Sequence, residues 1–337
     1  MPSPTEPVAG ARGAPARIAL VLGFLGLAGA TALIARAGIG PVIDAFLAAG
    51  IGVLLGALFH IVPMLANGRG WQVLLPPRRR RDLGFFLRAV WLRQAVNNLM
   101  PVARVGGELV SIELLVRGGI RASRAVASLI VEMTMSLASQ FLFTLVALAL
   151  LLRRGDGGDD LVRVLVIGLG VAAILVVGFY LVQRRGIFRF LARLARRLFG
   201  DRIAAIAGDG FTLDRALRAL YRRRRAMARS FLWLLIGWFA GATELAIVLF
   251  YLGEPFRYLD AVIIEGVIEA IGSAAFLVPG ALGVQEGGFV AIGAVLGLPP
   301  DIALALALAR RARDALVLLP ALIAWQVSVG RRLLARA

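Results

Sequence analysis

Apolar runs long enough to cross a bilayer recur along this chain, and no other property limits its possible folds so sharply. Ile18–Ala35, Ile43–Ala66, Val126–Leu152, Leu161–Val182, Phe231–Leu252 and Ile302–Val329 are all of this kind, near or above the about 20 residues that a spanning helix needs. Backbone groups in lipid must be satisfied within their own segment, so such runs are helices. With 60% apolar residues, a soluble domain of 337 residues has no interior large enough to hide them. The sequence predicts an all-α, polytopic transmembrane helical bundle.

Charge then orients the spans. The net charge is +18, and every basic residue is an arginine. The arginines gather at Arg69 and Arg78–Arg81, between Arg184 and Arg229, and at Arg331, Arg332 and Arg336. Arginine-rich short loops face the cytoplasm. The resulting topology has roughly six full spans with both termini cytoplasmic, in the inner membrane of a bacterial cell. The same surfaces attract anionic lipid headgroups. The arginines sit between apolar spans and not on a soluble face, which argues against nucleic acid as a partner.

The expected organisation is a disordered cytoplasmic tail over 1–17 and one integral membrane domain over 18–337. Its first half is 18–183, a basic cytoplasmic interfacial segment covers 184–229, and the second half is 230–337. Two stretches do not fit as simple spans. Leu83–Gly118 starts and ends on the cytoplasmic side, and Tyr258–Pro300 starts and ends on the other. Both contain Pro, Gly and charged residues, and read as re-entrant hairpins, 83–118 and 258–300. Interrupted backbone at membrane depth is tolerated where it is buried in protein or lines a cavity.

The hairpins align at a fixed shift. PVARVGGE at 101–108 lies over PGALGVQE at 279–286, matching Pro101, Ala103 and Glu108 to Pro279, Ala281 and Glu286. The same shift carries Ser123 onto Asp301, both good N-cap residues that predict a helix start, and Glu132 onto Arg310. With the hairpins on opposite sides, this predicts an inverted repeat whose breaks mark a transporter-type binding site.

Charges inside membrane helices are functional or paired. Arg104, Glu108, Glu286 and Arg313 are the candidates for binding a lipid headgroup. Guanidinium suits phosphate, and the two glutamates follow the breaks, where freed backbone groups and helix ends bind polar ligands. Asn97, Asn98, Glu132, Glu265, Glu269 and Arg310 are supporting polar residues, and Pro101, Gly106, Gly107, Pro279, Gly280 and Gly283 the hinges. Mutual neutralisation between helices is an equal reading for Glu132, Glu244 and Arg310. The chain has no cysteine and one histidine, His60. That excludes thiol chemistry, a usual zinc site and a Ser-His-Asp triad, and His60 reads as a polar residue hydrogen-bonded between helices. No catalytic residue, metal or cofactor is expected.

NNLMPVARVGGELV at 97–110, VPGALGVQEGGFV at 278–290 and RDALVLLPALIAW at 313–325 resemble the flippase-like family that includes the transmembrane region of lysylphosphatidylglycerol synthase. Within it they are most similar to the hopanoid-biosynthesis-associated integral membrane protein branch. The resemblance implies a domain that moves or presents a lipid or lipid-linked headgroup, with membrane lipids and lipid-biosynthesis enzymes as partners. The chain contains no soluble aminoacyl-transferase domain, so the expectation is a transporter and not a synthase. A membrane-embedded transferase on a lipid-linked substrate and a non-catalytic scaffold are the alternatives.

Overall fold

The computed structural model describes residues 39–75, 82–100, 106–154, 210–253, 255–275, 278 and 281–334, with positions 163 and 170. Among these residues every regular element is a helix: α1 (Ile39–Ala48), α2 (Gly50–Phe59), α3 (Ile61–Gln72), α4 (Leu83–Leu99), α5 (Gly106–Arg117), α6 (Ala122–Arg154), α7 (Gly210–Tyr221), α8 (Arg224–Tyr251), α9 (Tyr258–Ala274), α10 (Val284–Leu296) and α11 (Pro300–Leu334). The fold is that of an all-α membrane protein. The tail 1–17, the run Ile18–Ala35, almost all of Leu161–Val182 and the basic residues 184–209 lie outside the described residues.

Among the described residues three segments are long and apolar enough to cross a membrane: Gly50–Gln72 with 23 residues, Ala122–Arg154 with 33 and Arg224–Tyr251 with 28. At about 1.5 Å per residue each exceeds the hydrocarbon core of about 30 Å. The longer α11, with 35 residues, carries Arg310, Arg311, Arg313 and Asp314 in its middle. Leu47, Ile51, Leu54, Leu58 and Ile61 are all exposed. Their spacing of three and four puts them in one row along α1–α3, the surface expected of helices that face lipid.

Several boundaries differ from the sequence reading. The run Ile43–Ala66 is divided at Ala49 and His60. Pro63, two residues into α3, has no N–H to offer the carbonyl of Phe59 one turn earlier, which explains the second division. The helix then continues to Gln72, through residues expected in a loop. Arg224–Arg229, expected at the interface, form the first turns of α8. The helices expected to begin at Ser123 and Asp301 begin one residue earlier, at Ala122 and Pro300. A proline at the first helical position gives up an N–H that has no partner there in any case.

The shift of 178 that aligns Pro101 with Pro279 also aligns the helices. It carries the start of α5 at Gly106 onto that of α10 at Val284, and the start of α6 at Ala122 onto that of α11 at Pro300. Packing follows the same rule, crosswise. α6 packs on α9 and α11 on α4, while α7 packs on α6 and α1 on α11. The α2–α3 pair corresponds to α8, and these equivalent segments pack against each other in antiparallel fashion. Gly56 lies against Val248 and Gly70 against Leu234, and the shift turns one contact into the other. Equivalent helices that run antiparallel are related by a two-fold axis across the bundle, the arrangement of an inverted repeat.

Candidate functional site

The first hairpin, α4 and α5, is closed by side chains that its own sequence places one and two turns apart. Arg93 on α4 grips Glu132 on α6 with two hydrogen bonds of 2.7 and 2.9 Å. Its guanidinium also lies over the Trp71 ring, 5.1 Å from the centroid, and 3.8 Å from Glu108 Oε2. Glu132 is only 1% exposed, and Arg93 is largely buried above it. One turn along, Asn97 accepts the Gly107 N–H at 2.9 Å and donates to Glu108 Oε1 at 3.3 Å. It thereby caps an orphan N–H at the start of α5 and holds the glutamate there. Gly107 has to be glycine, because a Cβ would stand 2.4 Å from the Arg93 carbonyl oxygen.

The second hairpin, α9 and α10, is closed from α11. Arg310 binds Glu265 through one guanidinium nitrogen and Glu269, at 2.7 Å, through the other. It lies over the Phe289 ring, 5.6 Å from the centroid. Arg311 binds Glu286 Oε1 at 2.9–3.0 Å. Arg313 reaches Glu244 on α8 at 2.9 Å, His60 at 2.7 Å and Asp314 at 3.0 Å. Three arginines within one turn of α11 therefore hold α9, α10 and α8. Gln140 on α6 ties the back of the hairpin, donating to Ser273 Oγ at 2.7 Å and the Glu269 carbonyl at 3.0 Å. At the end of the break Gly283 has φ +74°, a left-handed conformation that suits glycine.

The sequence-derived candidates thus form two groups. Asn97, Glu108 and Glu132 meet around Arg93, while Glu265 and Glu269 meet at Arg310, with Glu286 and Arg313 held from the same helix turn. Asn98 is exposed and turns away from Asn97. Arg104, Pro101, Pro279 and Gly280 lie outside the described residues; Gly106 and Gly107 open α5, and Gly283 immediately precedes α10. Arg311 escaped the sequence reading. His60 is hydrogen-bonded between helices as expected, although nothing in the sequence pointed to its partners Glu244 and Arg313, 184 and 253 residues away.

Glu108 and Glu286 occupy equivalent places, each one turn past a break. Each has one carboxylate oxygen, Oε2, that is buried and receives no hydrogen bond. A buried carboxylate oxygen without a donor is costly, so these two atoms are the best-defined positions for a ligand's N–H or O–H. Between α4, α5 and α11 an open groove of about 420 Å³ is lined by Leu92, Val110 and Leu114 together with Arg88 and the Glu113–Arg117 pair.

The family model described as the lysylphosphatidylglycerol synthase TM region matches residues 16–321. No curated protein matches the chain, and no solved structure does.

Proposed function

This chain belongs to the lysylphosphatidylglycerol synthase transmembrane-region family, and from that premise we propose that it is a flippase-like transporter moving a lipid headgroup between its two hairpins. Membership makes it an integral membrane protein of lipid metabolism. The finer reading rests on one observation, the pair of equivalent glutamates that each present an unfilled buried oxygen beside a helix break. An acceptor in that state calls for a ligand bearing ammonium or hydroxyl groups. In this reading Arg104, within the first break, takes the phosphate, since guanidinium binds phosphate oxygens in pairs. The headgroup crosses along the polar residues while its chains stay in lipid, and the groove beside Arg88 and Arg117 admits it sideways. Arg313, a headgroup candidate by sequence, binds Glu244 and His60 through one guanidinium nitrogen and in this reading braces the cavity wall.

Multi-pass insertion in a bacterial inner membrane with cytoplasmic termini belongs to the same proposal, as do hopanoids among the transported lipids. The test is leaflet exchange in vesicles containing the purified protein and fluorescent analogues of zwitterionic, amine-bearing and hopanoid lipids. Exchange is expected to exceed that of protein-free vesicles for at least one class. Losing a charge-assisted hydrogen bond costs about 1.5–3 kcal/mol, so Glu108→Gln or Glu286→Gln is expected to slow exchange roughly ten- to hundredfold. Protein-free rates across the whole panel would end the transporter reading.

A further inference from the structure

Two incompatible hydrogen bonds meet at one ring nitrogen. His60, the single histidine of the chain, places Nδ1 2.7 Å from Glu244 Oε2 and 2.7 Å from an Arg313 guanidinium nitrogen. A ring nitrogen donates when it carries a proton and accepts when it does not. Arginine only donates, and an ionised carboxylate only accepts. The two contacts therefore belong to two protonation states of one cluster. With a proton on Nδ1, His60 serves Glu244, and Arg313 falls back on the other carboxylate oxygen, 2.9 Å away. Without it, Arg313 serves Nδ1, and Glu244 Oε2 faces a lone pair unless the carboxyl carries the proton itself.

The charges around this point are also out of balance. Glu244 comes from α8, Glu265 and Glu269 from α9, and Arg310, Arg313 and Asp314 from α11. That sets two arginines against four carboxylates, a deficit of two positive charges when His60 is neutral. The neighbouring elements do not correct it. α2 has no charged residue, and Arg69 of α3 bonds Gln72. On α10, Glu286 is matched by Arg311, and on α4, Arg93 is taken by Glu132. Asp44 of α1 is exposed. Uncompensated charge at membrane depth is expensive, and a proton is the smallest counter-charge. A hollow the size of one water, lined by Gly56, Gly241, Glu244, Arg310 and Arg313, adjoins the cluster.

We propose that His60, Glu244 and Arg313 form a proton-binding site where the two halves cross, and that its loading and unloading powers lipid movement. This rests on the transporter reading. The proton arrives on Nδ1 or the Glu244 carboxylate from one side and leaves to the other, with only N–H or O–H bonds made and broken. Arg313 changes partner as it does so. Because Arg310 and Arg311 share its helix turn, the displacement passes to α9 and α10, and so to the hairpin carrying Glu286.

The lone histidine makes the site directly readable. In full-length protein labelled with ¹⁵N-histidine and held in nanodiscs, one ring gives all the signal. Its Nδ1 resonance is expected to report a hydrogen-bonded ring nitrogen in the wild type and to change in Glu244→Gln. A resonance indifferent to that substitution, or a wild-type ring behaving as an exposed histidine, would overturn the site. In vesicles, an imposed pH gradient is expected to raise wild-type lipid exchange about tenfold, and His60→Gln to abolish that response. Exchange indifferent to the pH gradient, or driven by sodium instead, would overturn the coupling. If no lipid exchanges under any gradient the transporter reading fails, and the histidine resonance alone decides whether the proton site exists.

Discussion

The two hairpins share a geometry and reverse its chemistry. In the first, the cation sits on the entering helix as Arg93 and the acid on the following long helix as Glu132. In the second, the acids sit on the entering helix as Glu265 and Glu269, and the cation follows as Arg310. The glycine at each hairpin's close approach changes helix in the same way, from Gly107 on α5 to Gly272 on α9. Gln94 on α4 and Gly107 on α5 correspond to Gly272 on α9 and Gln285 on α10. A Cβ at Gly272 would come within 2.8 Å of the Gln285 amide, whereas one at Gly107 would meet the Arg93 carbonyl and the Asn97 side chain. What the two halves preserve is therefore the interaction. Which partner carries which charge or bulk is free to change, because an ion pair and a large–small contact work equally well in either direction.

That equivalence can be broken at its strongest point first. Arg310→Ala strands Glu265 and Glu269 together, and Arg93→Ala strands Glu132. Breaking a buried pair costs about 3–5 kcal/mol, and the loss of Arg310 is expected to exceed that of Arg93 when thermal unfolding is followed in detergent. The reversed pair Arg93→Glu with Glu132→Arg copies the second hairpin's polarity into the first. It is expected to recover most of the stability lost in Arg93→Ala, though not all, since a glutamate at 93 would stand near Glu108. Equal loss in the reversed pair and the single variant would show that direction matters.

Weaker substitutions sharpen the contrast. Gly107→Ala drives a methyl group against the Arg93 carbonyl and is expected to cost about 1–3 kcal/mol. The equivalent Gln285→Ala removes bulk instead, and is expected to be milder in the same unfolding assay. Asn97→Ala removes the Gly107 cap, worth about 0.5–2 kcal/mol. Its counterpart, Ala275, makes no such contact, so the penalty is confined to the first hairpin. Smallest is Trp91→Phe, which gives up a 2.6 Å bond to the Val317 carbonyl near Pro320, an effect of about 0.5–1.5 kcal/mol.

Much of this was legible in the sequence, and the comparison explains what was not. Helix content, the membrane setting and both broken segments follow from apolar length and from Pro and Gly placement. Residue identity understates the repeat, because it scores Glu132 against Arg310 as a mismatch although each is half of a buried pair. Glu265 and Glu269 stand four residues apart, so helical spacing alone puts them on one face, where both meet Arg310. The partners across the bundle stayed hidden, since nothing local to His60 foretells that Glu244 and Arg313 will meet it. Helix breaks within apolar runs were missed for a related reason. Pro63 acts through one backbone hydrogen bond and leaves hydropathy almost unchanged.

The central claim is that the two breaks open toward opposite faces of the membrane. Because the chain lacks cysteine, Arg104→Cys and Leu282→Cys, which are equivalent under the repeat, can each be probed alone with a membrane-impermeant thiol reagent. The account predicts labelling of position 104 only from the cytoplasmic side and of position 282 only from the other. Labelling of both from the same side would contradict it.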